Sequence, residues 1–313
     1  MAVSSTVETL DDLLRSAFSG LLDDGHAVVP TRGPTREQVG AFFELTNPRA
    51  RLSRTEGRRR VVSAVAELAW YLRGANDADS IAFYISDYAR EAEDDGTIYG
   101  AYGPRIFGEG VSAQFQTVLA LLRTNPDTRR AVLQIFDRSD LSAPRRKDVP
   151  CTTSVQFLLR SDQLHAVVSM RSNDAYKGLP HDVFAFTMLQ EVAARELGVE
   201  VGKYCHSVGS LHIYEDAMEE ARSFLREGWQ STGDSMPSMP PGSQAASIEQ
   251  LLATEQDIRS LIPYDKLTLP ESAYWADLAR ILARHVADKR LNDQETVERI
   301  TSDFSYAPLA RLL

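Results

Sequence analysis

The residues best suited to chemistry lie between Val149 and Asp182. Cys151 follows a proline, Arg171 comes twenty residues later, and the carboxylates Asp174 and Asp182 follow. A thiolate is a strong nucleophile, and a neighbouring cation lowers the pKa of a thiol and raises the thiolate fraction. This set therefore indicates covalent catalysis by Cys151, with Arg171 activating the thiol.

The elements that must position these groups are two apolar, β-rich runs, SVQFLLR and LHAVVSM, with the polar residues Ser161-Asp162-Gln163 between them. Two such runs joined by a short polar turn predict an antiparallel hairpin. The hairpin brings its two outer ends together, and these ends carry Cys151 and Arg171. A loop is predicted at Gly178-Leu179-Pro180-His181-Asp182, followed by a long buried helix from Val183 to Leu197.

Three motifs in one order carry a resemblance: Pro150-Cys151, Arg171-Ser172-Asn173-Asp174 and Gly178-Leu179-Pro180-His181-Asp182. The stretch resembles the thymidylate synthase superfamily, whose members carry a Pro-Cys nucleophile, then Arg-Ser-x-Asp, then Gly-Leu-Pro-x-Asn. The resemblance implies an α+β fold, with a large mixed β-sheet flanked by helices and a sheet face that forms a dimer interface. It is dense from Val61 to Asp216.

Asp182 is the main departure from that pattern, because the uracil-using enzymes have asparagine at this place. The change resembles the cytidylate hydroxymethylase branch. Cytosine presents an N4 amine donor and an N3 acceptor, the reverse of uracil. A neutral Asp182 can accept from N4 and donate to N3, and an ionised Asp182 can bind a base protonated at N3. A carboxylate facing O4 of uracil leaves two acceptors opposed. The alternative role for Asp182 is to cap the helix that begins at Val183.

The resemblance also implies a nucleotide site. Arg32 lies in a loop that grips phosphate, with Arg36 as a competitor. Arginine suits phosphate because its planar fork offers paired donors. In the family, paired arginines reach across a homodimer to the partner's nucleotide, and Arg129 and Arg130 match them. The remaining predicted nucleotide-binding residues are Arg171, Ser172, Asp174, Asp182, His212, Tyr214 and Tyr99, of which His212 and Tyr214 hold the sugar hydroxyl.

Glu67 lies in the sequence Glu67-Leu68-Ala69-Trp70-Tyr71-Leu72, on a helix predicted from Val61 to Arg73. An acidic residue among apolar neighbours is ordinarily directed to solvent. Family members instead carry a glutamate in this context that points into the active site and belongs to a water and proton network. Glu67 is thus predicted to be catalytic, together with Cys151, Arg171, Asp174 and Asp182, with Asp174 positioning the folate or the proton relay.

The implied reaction is 5-hydroxymethylation of a cytidine monophosphate, CMP or dCMP, through a covalent bond between Cys151 and C6. The co-substrate is 5,10-methylenetetrahydrofolate, water completes the product, and no metal is expected. One alternative is methylation of UMP or dUMP with hydride transfer from the folate. A further alternative is a non-catalytic relative that binds a nucleotide or RNA. The choice between CMP and dCMP, and between antibiotic biosynthesis and phage DNA modification, stays open.

Composition bounds the remaining expectations. The chain has 313 residues, a net charge of −10 and two cysteines. Such a charge argues against a nucleic-acid-coating surface, and two cysteines argue against a disulfide scaffold. A cytoplasmic homodimer is expected, with nucleotide and folate as small-molecule partners, no membrane and no need for nucleic acid. A single catalytic domain over 1–313 is expected, with a flexible insertion at 228–247, where Ser, Pro, Gly and Met dominate.

Overall fold

The computed structural model describes residues 4–53, 60–108, 113–142, 146–230 and 235–312. The chain divides into two compact units. The first comprises Met1–Arg59, Gln114–Ala143 and Val149–Met236, and the second comprises Arg60–Ala113, Pro144–Asp148 and Pro237–Leu313. The expectation of one domain stays a prediction. No helix within the described ranges is long and apolar enough to cross a membrane.

A mixed β-sheet forms the centre of the first unit, and its order in the described residues is β1-β3-β7-β6-β5-β4, with β2 paired to β3. Parallel pairs join β1 to β3 and β6 to β7, and the other pairs are antiparallel. The predicted large mixed sheet flanked by helices, an α+β fold, is confirmed. The strands are β1 (Ser4–Val7), β2 (His26–Val28), β3 (Thr35–Leu45), β4 (Val132–Gln134), β5 (Thr152–Arg160), β6 (Gln163–Asp174) and β7 (Glu200–Tyr214).

The predicted hairpin is confirmed as β5 and β6. Arg160 pairs with Gln163, so the loop is only Ser161 and Asp162, whose φ angles are 50° and 57°. Two consecutive positive φ angles are typical of the type I′ turn, whose twist matches that of the strands. A β-bulge at Thr153 interrupts the ladder just after Cys151. Bulges re-aim neighbouring side chains and are common beside active sites.

In three neighbouring strands, the side chains that are buried switch from one face of the sheet to the other at the same level. The alternation of buried side chains inverts near Gly40 on β3, near Gly209 on β7 and near Arg171 on β6. Gly40 has a φ of 76°, and a Cβ on Gly209 would lie 3.0 Å from the carbonyl oxygen of Arg171. Both glycines are therefore needed, one for its backbone conformation and one for the close approach of β7 to β6.

Four α-helices within the described residues belong to the first unit. They are α1 (Leu10–Asp24), α5 (Gln114–Thr124), α6 (Gly178–Leu197) and α7 (Met218–Arg226). Helix α7 packs on α1. Thr9 starts α1 through a capping box with Asp12. Phe18 of α1 packs edge-on against Phe224 of α7, at 5.2 Å between ring centroids. Such aromatic pairs add stability beyond the area that they bury.

The start of α6 corrects the sequence analysis. The predicted loop Gly178–Asp182 is the beginning of the helix, which starts at Gly178 and not at Val183. Pro180 is compatible with this because the first helical residues need no donor for an intrahelical bond. The alternative that Asp182 caps the helix is consequently wrong, since Asp182 lies inside it.

The second unit is helical in its described part. Its helices are α2 (Val61–Leu72), α3 (Ala78–Ala82), α4 (Tyr102–Phe107), α8 (Ala245–Arg259), α9 (Ala273–Val286), α10 (Gln294–Ser302) and α11 (Ala307–Ala310). Asp77 accepts from the Ser80 N–H and starts α3, and a separate 3-10 turn covers Ser86–Arg90. Within the expected insertion, 231–234 lie outside the described residues and Met236 and Met239 are buried, while its flexibility stays a prediction.

Candidate active site

Cys151 and Arg171 meet at the open end of the hairpin. The Arg171 backbone N–H donates to the Cys151 carbonyl at 2.9 Å. The guanidinium donates through Nε to the Pro150 carbonyl at 2.8 Å and through Nη2 to the Val149 carbonyl at 2.9 Å. Nη2 also lies 3.7 Å from the Cys151 Sγ. The backbone around the cysteine thus fixes a permanent cation beside the thiol, which favours a thiolate.

The second cysteine has a different environment. Cys205 lies half-buried on β7, and burial is the main cause that raises the pKa of its thiol, with the Glu44 carboxylate adding to the shift. A raised pKa makes a thiol a poor nucleophile at neutral pH. The described residues contain no cluster of His, Cys, Asp and Glu that could hold a metal ion.

Asp182 ends a chain of buried hydrogen bonds in the first unit. Asn173 Nδ2 donates to Asp182 Oδ2 at 2.8 Å, and Asn173 Oδ1 lies 2.9 Å from His206 Nε2. His206 Nδ1 in turn lies 2.8 Å from the Tyr204 hydroxyl. Asp182 is 8% exposed, and His206 is fully buried. We name Tyr204, His206, Asn173 and Asp182 the buried relay.

Burial lowers the pKa of His206 to about 3, so its imidazole is neutral at pH 7. Burial also raises the pKa of Tyr204 well above its usual value, with the Asp182 charge adding to the shift, so the phenol keeps its proton. Sequence reasoning assigned no role to Asn173, Tyr204 or His206. One signal in the sequence could have found two of them. Tyr204 and His206 are two residues apart on a strand, so they share one face, and polar side chains are unusual on a buried face.

Four predicted nucleotide-binding residues, Ser172, Asp174, His212 and Tyr214, lie on β6 and β7, beyond the level at which the buried face inverts. Ser172 pairs with Ser210, and Asp174 pairs with His212. The His212 and Tyr214 rings are perpendicular, with centroids 5.3 Å apart. All of these side chains are half-exposed and so can reach a ligand.

The predicted phosphate-binding arginines lie at the surface of the first unit. Arg32 is exposed in the turn before β3, whose first residue, Thr35, pairs with Tyr214. Its competitor Arg36 donates to the Gly25 carbonyl at 3.2 Å. Arg129 and Arg130 are exposed before β4, and neither guanidinium has an ion-pair partner among the described residues. Their roles stay predictions.

Glu67 belongs to the second unit, on α2, and is 8% exposed. The hydroxyls of Tyr71 and Tyr88 both donate to its Oε1, at 2.6 Å and 2.7 Å. Burial and the Glu67 charge raise the pKa of Tyr88, which keeps this phenol a donor. Oε2 accepts no hydrogen bond within the described residues. Sequence reasoning missed both tyrosines as partners of Glu67.

Tyr99, the last predicted nucleotide-binding residue, also belongs to the second unit. The guanidinium carbons of Arg105 and Arg146 lie 5.3 Å and 4.6 Å from the centroid of its ring. Cations at these distances are attracted to an aromatic face. The geometry therefore shows a packing role for Tyr99, and its predicted contact with a nucleotide stays a prediction.

Comparison with known proteins gives consistent matches. The chain is 32% identical over 197 residues to the deoxyuridylate hydroxymethyltransferase of Delftia phage PhiW-14, covering 59% of this chain and 54% of that protein. It is 32% identical over 163 residues to the thymidylate synthase of Bacillus subtilis subsp. natto, covering 49% and 57%. The chain therefore spans little more than half the length of these relatives.

Two further comparisons concern the fold and the family. The structure of thermostable thymidylate synthase A from Bacillus subtilis matches with a TM-score of 0.59 and 23% identity, covering 72% of this chain and 86% of that chain. At that identity, the likeness shows the fold alone. The family model described as thymidylate synthase matches residues 36–266, well over half of the chain. This chain belongs to the thymidylate synthase family.

Proposed function

We propose that the protein is a folate-dependent cytidylate 5-hydroxymethyltransferase, which acts on CMP or dCMP. The observation that carries the proposal is the place of Asp182 in the fold. It is a buried acid whose Oδ2 accepts a hydrogen bond from Asn173 at 2.8 Å. A carboxylate can accept several hydrogen bonds, and the exocyclic amine of cytosine is a donor.

The same acid disfavours uracil. Uracil presents O4 where cytosine presents N4, and a carboxylate opposite O4 brings two acceptors together. Binding sites built on paired polar groups can discriminate by roughly 10⁴ against an analogue with the wrong pattern. Where uracil-using family members have asparagine, a side-chain amide offers the donor that O4 requires.

Cys151 is proposed to add to C6 of the base, which makes C5 nucleophilic. The nearby Arg171 supports the thiolate through its fixed position at 3.7 Å. The co-substrate, 5,10-methylenetetrahydrofolate, supplies the one-carbon unit to C5, and loss of the C5 proton with departure of tetrahydrofolate leaves an exocyclic methylene. Water then adds to the resulting exocyclic methylene and the C6–S bond breaks, which returns Cys151 and leaves a hydroxymethyl group.

Glu67 is proposed to orient that water. The hydroxyls of Tyr71 and Tyr88 occupy Oε1 and hold the carboxylate in one orientation. Oε2 is then the acceptor for a proton of the water as its oxygen adds to carbon. Methylation in place of hydroxymethylation would use hydride from the folate and would leave this water without a role.

Asp174 has the chemistry to hold the folate. Its Oδ1 accepts from the Tyr176 N–H at 2.8 Å, which fixes the side chain. Its Oδ2 accepts no hydrogen bond within the described residues, and it suits the ring N–H donors of a reduced pterin. The acceptor oxygens of Asp174 thus fit the N–H donors of the co-substrate.

A homodimer is proposed through the outer face of the sheet. Val39 and Phe42 on β3 are 75% and 40% exposed there, although apolar side chains of this size are usually covered. The exposed Arg129 and Arg130 are proposed to bind the nucleotide phosphate of the other protomer. A cytoplasmic location stays a prediction from the two free thiols.

A second candidate function is hydroxymethylation of deoxyuridylate. The observation that favours it is the 32% identity to a protein named deoxyuridylate hydroxymethyltransferase. This candidate shares the folate, the water and Cys151 with the first. It differs in the base, and hence in the role of Asp182.

One assay separates the candidates. The protein is incubated with CMP, dCMP, UMP or dUMP and 5,10-methylenetetrahydrofolate, and product masses and dihydrofolate absorbance are recorded. A gain of one CH₂O on a cytosine nucleotide without dihydrofolate is the expected result. The same gain on dUMP alone supports the second candidate, and a CH₂ gain with dihydrofolate indicates methylation. No product with any nucleotide, together with nucleotide binding, supports a non-catalytic relative.

A further inference from the structure

Two phenols converge on one oxygen of Glu67 in the second unit. The hydroxyls of Tyr71 and Tyr88 donate to Oε1 at 2.6 Å and 2.7 Å. Burial is the main cause that raises the pKa of Tyr88 well above its usual value, so this phenol keeps the proton that it donates. The two bonds occupy Oε1 and fix the position of Oε2, whether or not Oε2 carries a proton.

Aromatic packing holds both phenols in place. The Tyr88 ring lies edge-on to Trp70, with 5.5 Å between ring centroids, and the Tyr71 ring packs on Tyr102 at 5.2 Å. A free glutamate side chain has several rotatable bonds, and ordering it costs conformational entropy. Because the two hydroxyls are fixed by their rings, the Glu67 carboxyl group is already ordered before a ligand binds.

The proposed reaction passes through an exocyclic methylene that different nucleophiles can attack. Water, a thiol or hydride from the folate can bond to its carbon. In each case the electron pair of the exocyclic double bond forms the C5–C6 double bond, and the Cys151 sulfur leaves C6 as a thiolate. Water must also lose a proton as it adds, whereas a thiolate has none to lose. Addition of water therefore depends most on a positioned carboxylate.

We propose that Tyr71 and Tyr88 are positioning residues that make water the nucleophile that completes the reaction. The inference rests on the proposed function and deepens it, because it names the residues that select the product. With both phenols in place, Oε2 of Glu67 binds the water that adds to the methylene carbon. Without one phenol, the carboxylate samples other orientations and water adds more slowly, while capture by a thiolate keeps its rate.

The test measures which nucleophile captures the methylene carbon. The wild type and Tyr88→Phe are incubated with the preferred nucleotide, 5,10-methylenetetrahydrofolate and a graded series of 2-mercaptoethanol. Mass spectrometry quantifies the hydroxymethyl and thioether products. The thioether-to-hydroxymethyl ratio at one thiol concentration is expected to rise about tenfold in Tyr88→Phe, and likewise in Tyr71→Phe. Both products come from one intermediate, so a loss of folded protein lowers their amounts and leaves the ratio unchanged.

Tyr84→Phe is the matched control. It makes the same change at another buried hydroxyl of the second unit, which has no hydrogen bond to Glu67. Burial and the Glu255 carboxylate, in that order, raise the pKa of Tyr84, so its hydroxyl faces a different acid. The product ratio of this variant should stay at the wild-type value.

A second measurement decides the case in which no thioether forms. Reactions are stopped by rapid denaturation, and intact-protein mass spectrometry reports the protein that carries the nucleotide plus one carbon atom, which is the adduct that awaits water. This adduct should accumulate in Tyr88→Phe and stay at the wild-type level in Tyr84→Phe.

The outcomes separate the inference from the proposed function. If the wild type forms a hydroxymethyl product and Tyr88→Phe keeps both the wild-type ratio and the wild-type adduct level, the inference fails and the function stands. A hydroxymethyl product from dUMP alone overturns the choice of base, and the ratio is then measured on dUMP. A methyl product with dihydrofolate, or no product, overturns the proposed function and the inference with it.

Discussion

The sharpest prediction concerns Asp182→Asn, an isosteric change that removes the charge and adds a donor. Asn173 Nδ2 already points at position 182, since its Oδ1 accepts from His206. The new amide must therefore turn its oxygen to Asn173 and its NH₂ group to the base. The relay thus decides which end of the amide meets the substrate.

The magnitude follows from that orientation. Opposite cytosine, two donors face each other in a buried site, and each unsatisfied group costs about 1–3 kcal/mol. Opposite uracil, the amide meets the O4 acceptor and recovers a hydrogen bond. The ratio of kcat/KM for cytosine over uracil nucleotides should consequently fall by about a thousandfold, which corresponds to about 4 kcal/mol.

The assay measures kcat/KM for the preferred cytosine nucleotide and its uracil counterpart, with product mass as the readout. Asp216→Asn is the control, because it makes the same chemical change at an exposed position. Thermal unfolding of each variant reports whether the fold is retained. A ratio for Asp182→Asn within threefold of the wild type would refute the reasoning about the base, the relay or both.

Three further predictions follow from local contacts and burial. An alkylating reagent at pH 7.5 should modify Cys151 well before Cys205, whose thiol pKa is raised by burial; peptide mass mapping checks this, and equal rates would contradict it. Gly209→Ala should lower the free energy of unfolding by about 1–3 kcal/mol, because its Cβ would lie 3.0 Å from the Arg171 carbonyl oxygen; urea denaturation measures it, and an unchanged midpoint would show that β7 can move away. His206 has a folded pKa of about 3, below the ordinary 6.5, so the unfolded chain binds the extra proton and stability falls as pH drops below about 6.5. The free energy of unfolding from urea denaturation should therefore decline between pH 7 and pH 5 less steeply in His206→Gln than in the wild type, by up to about 1.4 kcal/mol per pH unit; equal slopes would contradict this.

Much of the site was readable from local sequence because its parts are adjacent along the chain or across one short turn. The alternating runs on either side of Ser161-Asp162-Gln163 predicted the hairpin, and the structure narrows its loop to Ser161 and Asp162. A hairpin with a two-residue loop has only one register, so the meeting of Cys151 with Arg171 followed directly. The motif order also predicted the mixed sheet and the family.

Other features were decided by tertiary structure, because they depend on which side chains share a buried space. Gly178–Asp182 read as a loop, yet it is helix, since packing of α6 on the sheet outweighs the local signal of glycine and proline. Asn173 and His206 lie on different strands, 33 residues apart in sequence, and only the parallel pairing of β6 with β7 brings them together.

The sequence by itself determined which residues can do chemistry, namely the thiol, the arginine and the carboxyl of Asp182. Only the tertiary structure decided which neighbours that carboxyl has, because Asn173 and His206 come together through the pairing of β6 with β7. A hydrogen-bond direction is a property of a connected set of donors and acceptors, and no single position in the sequence carries it.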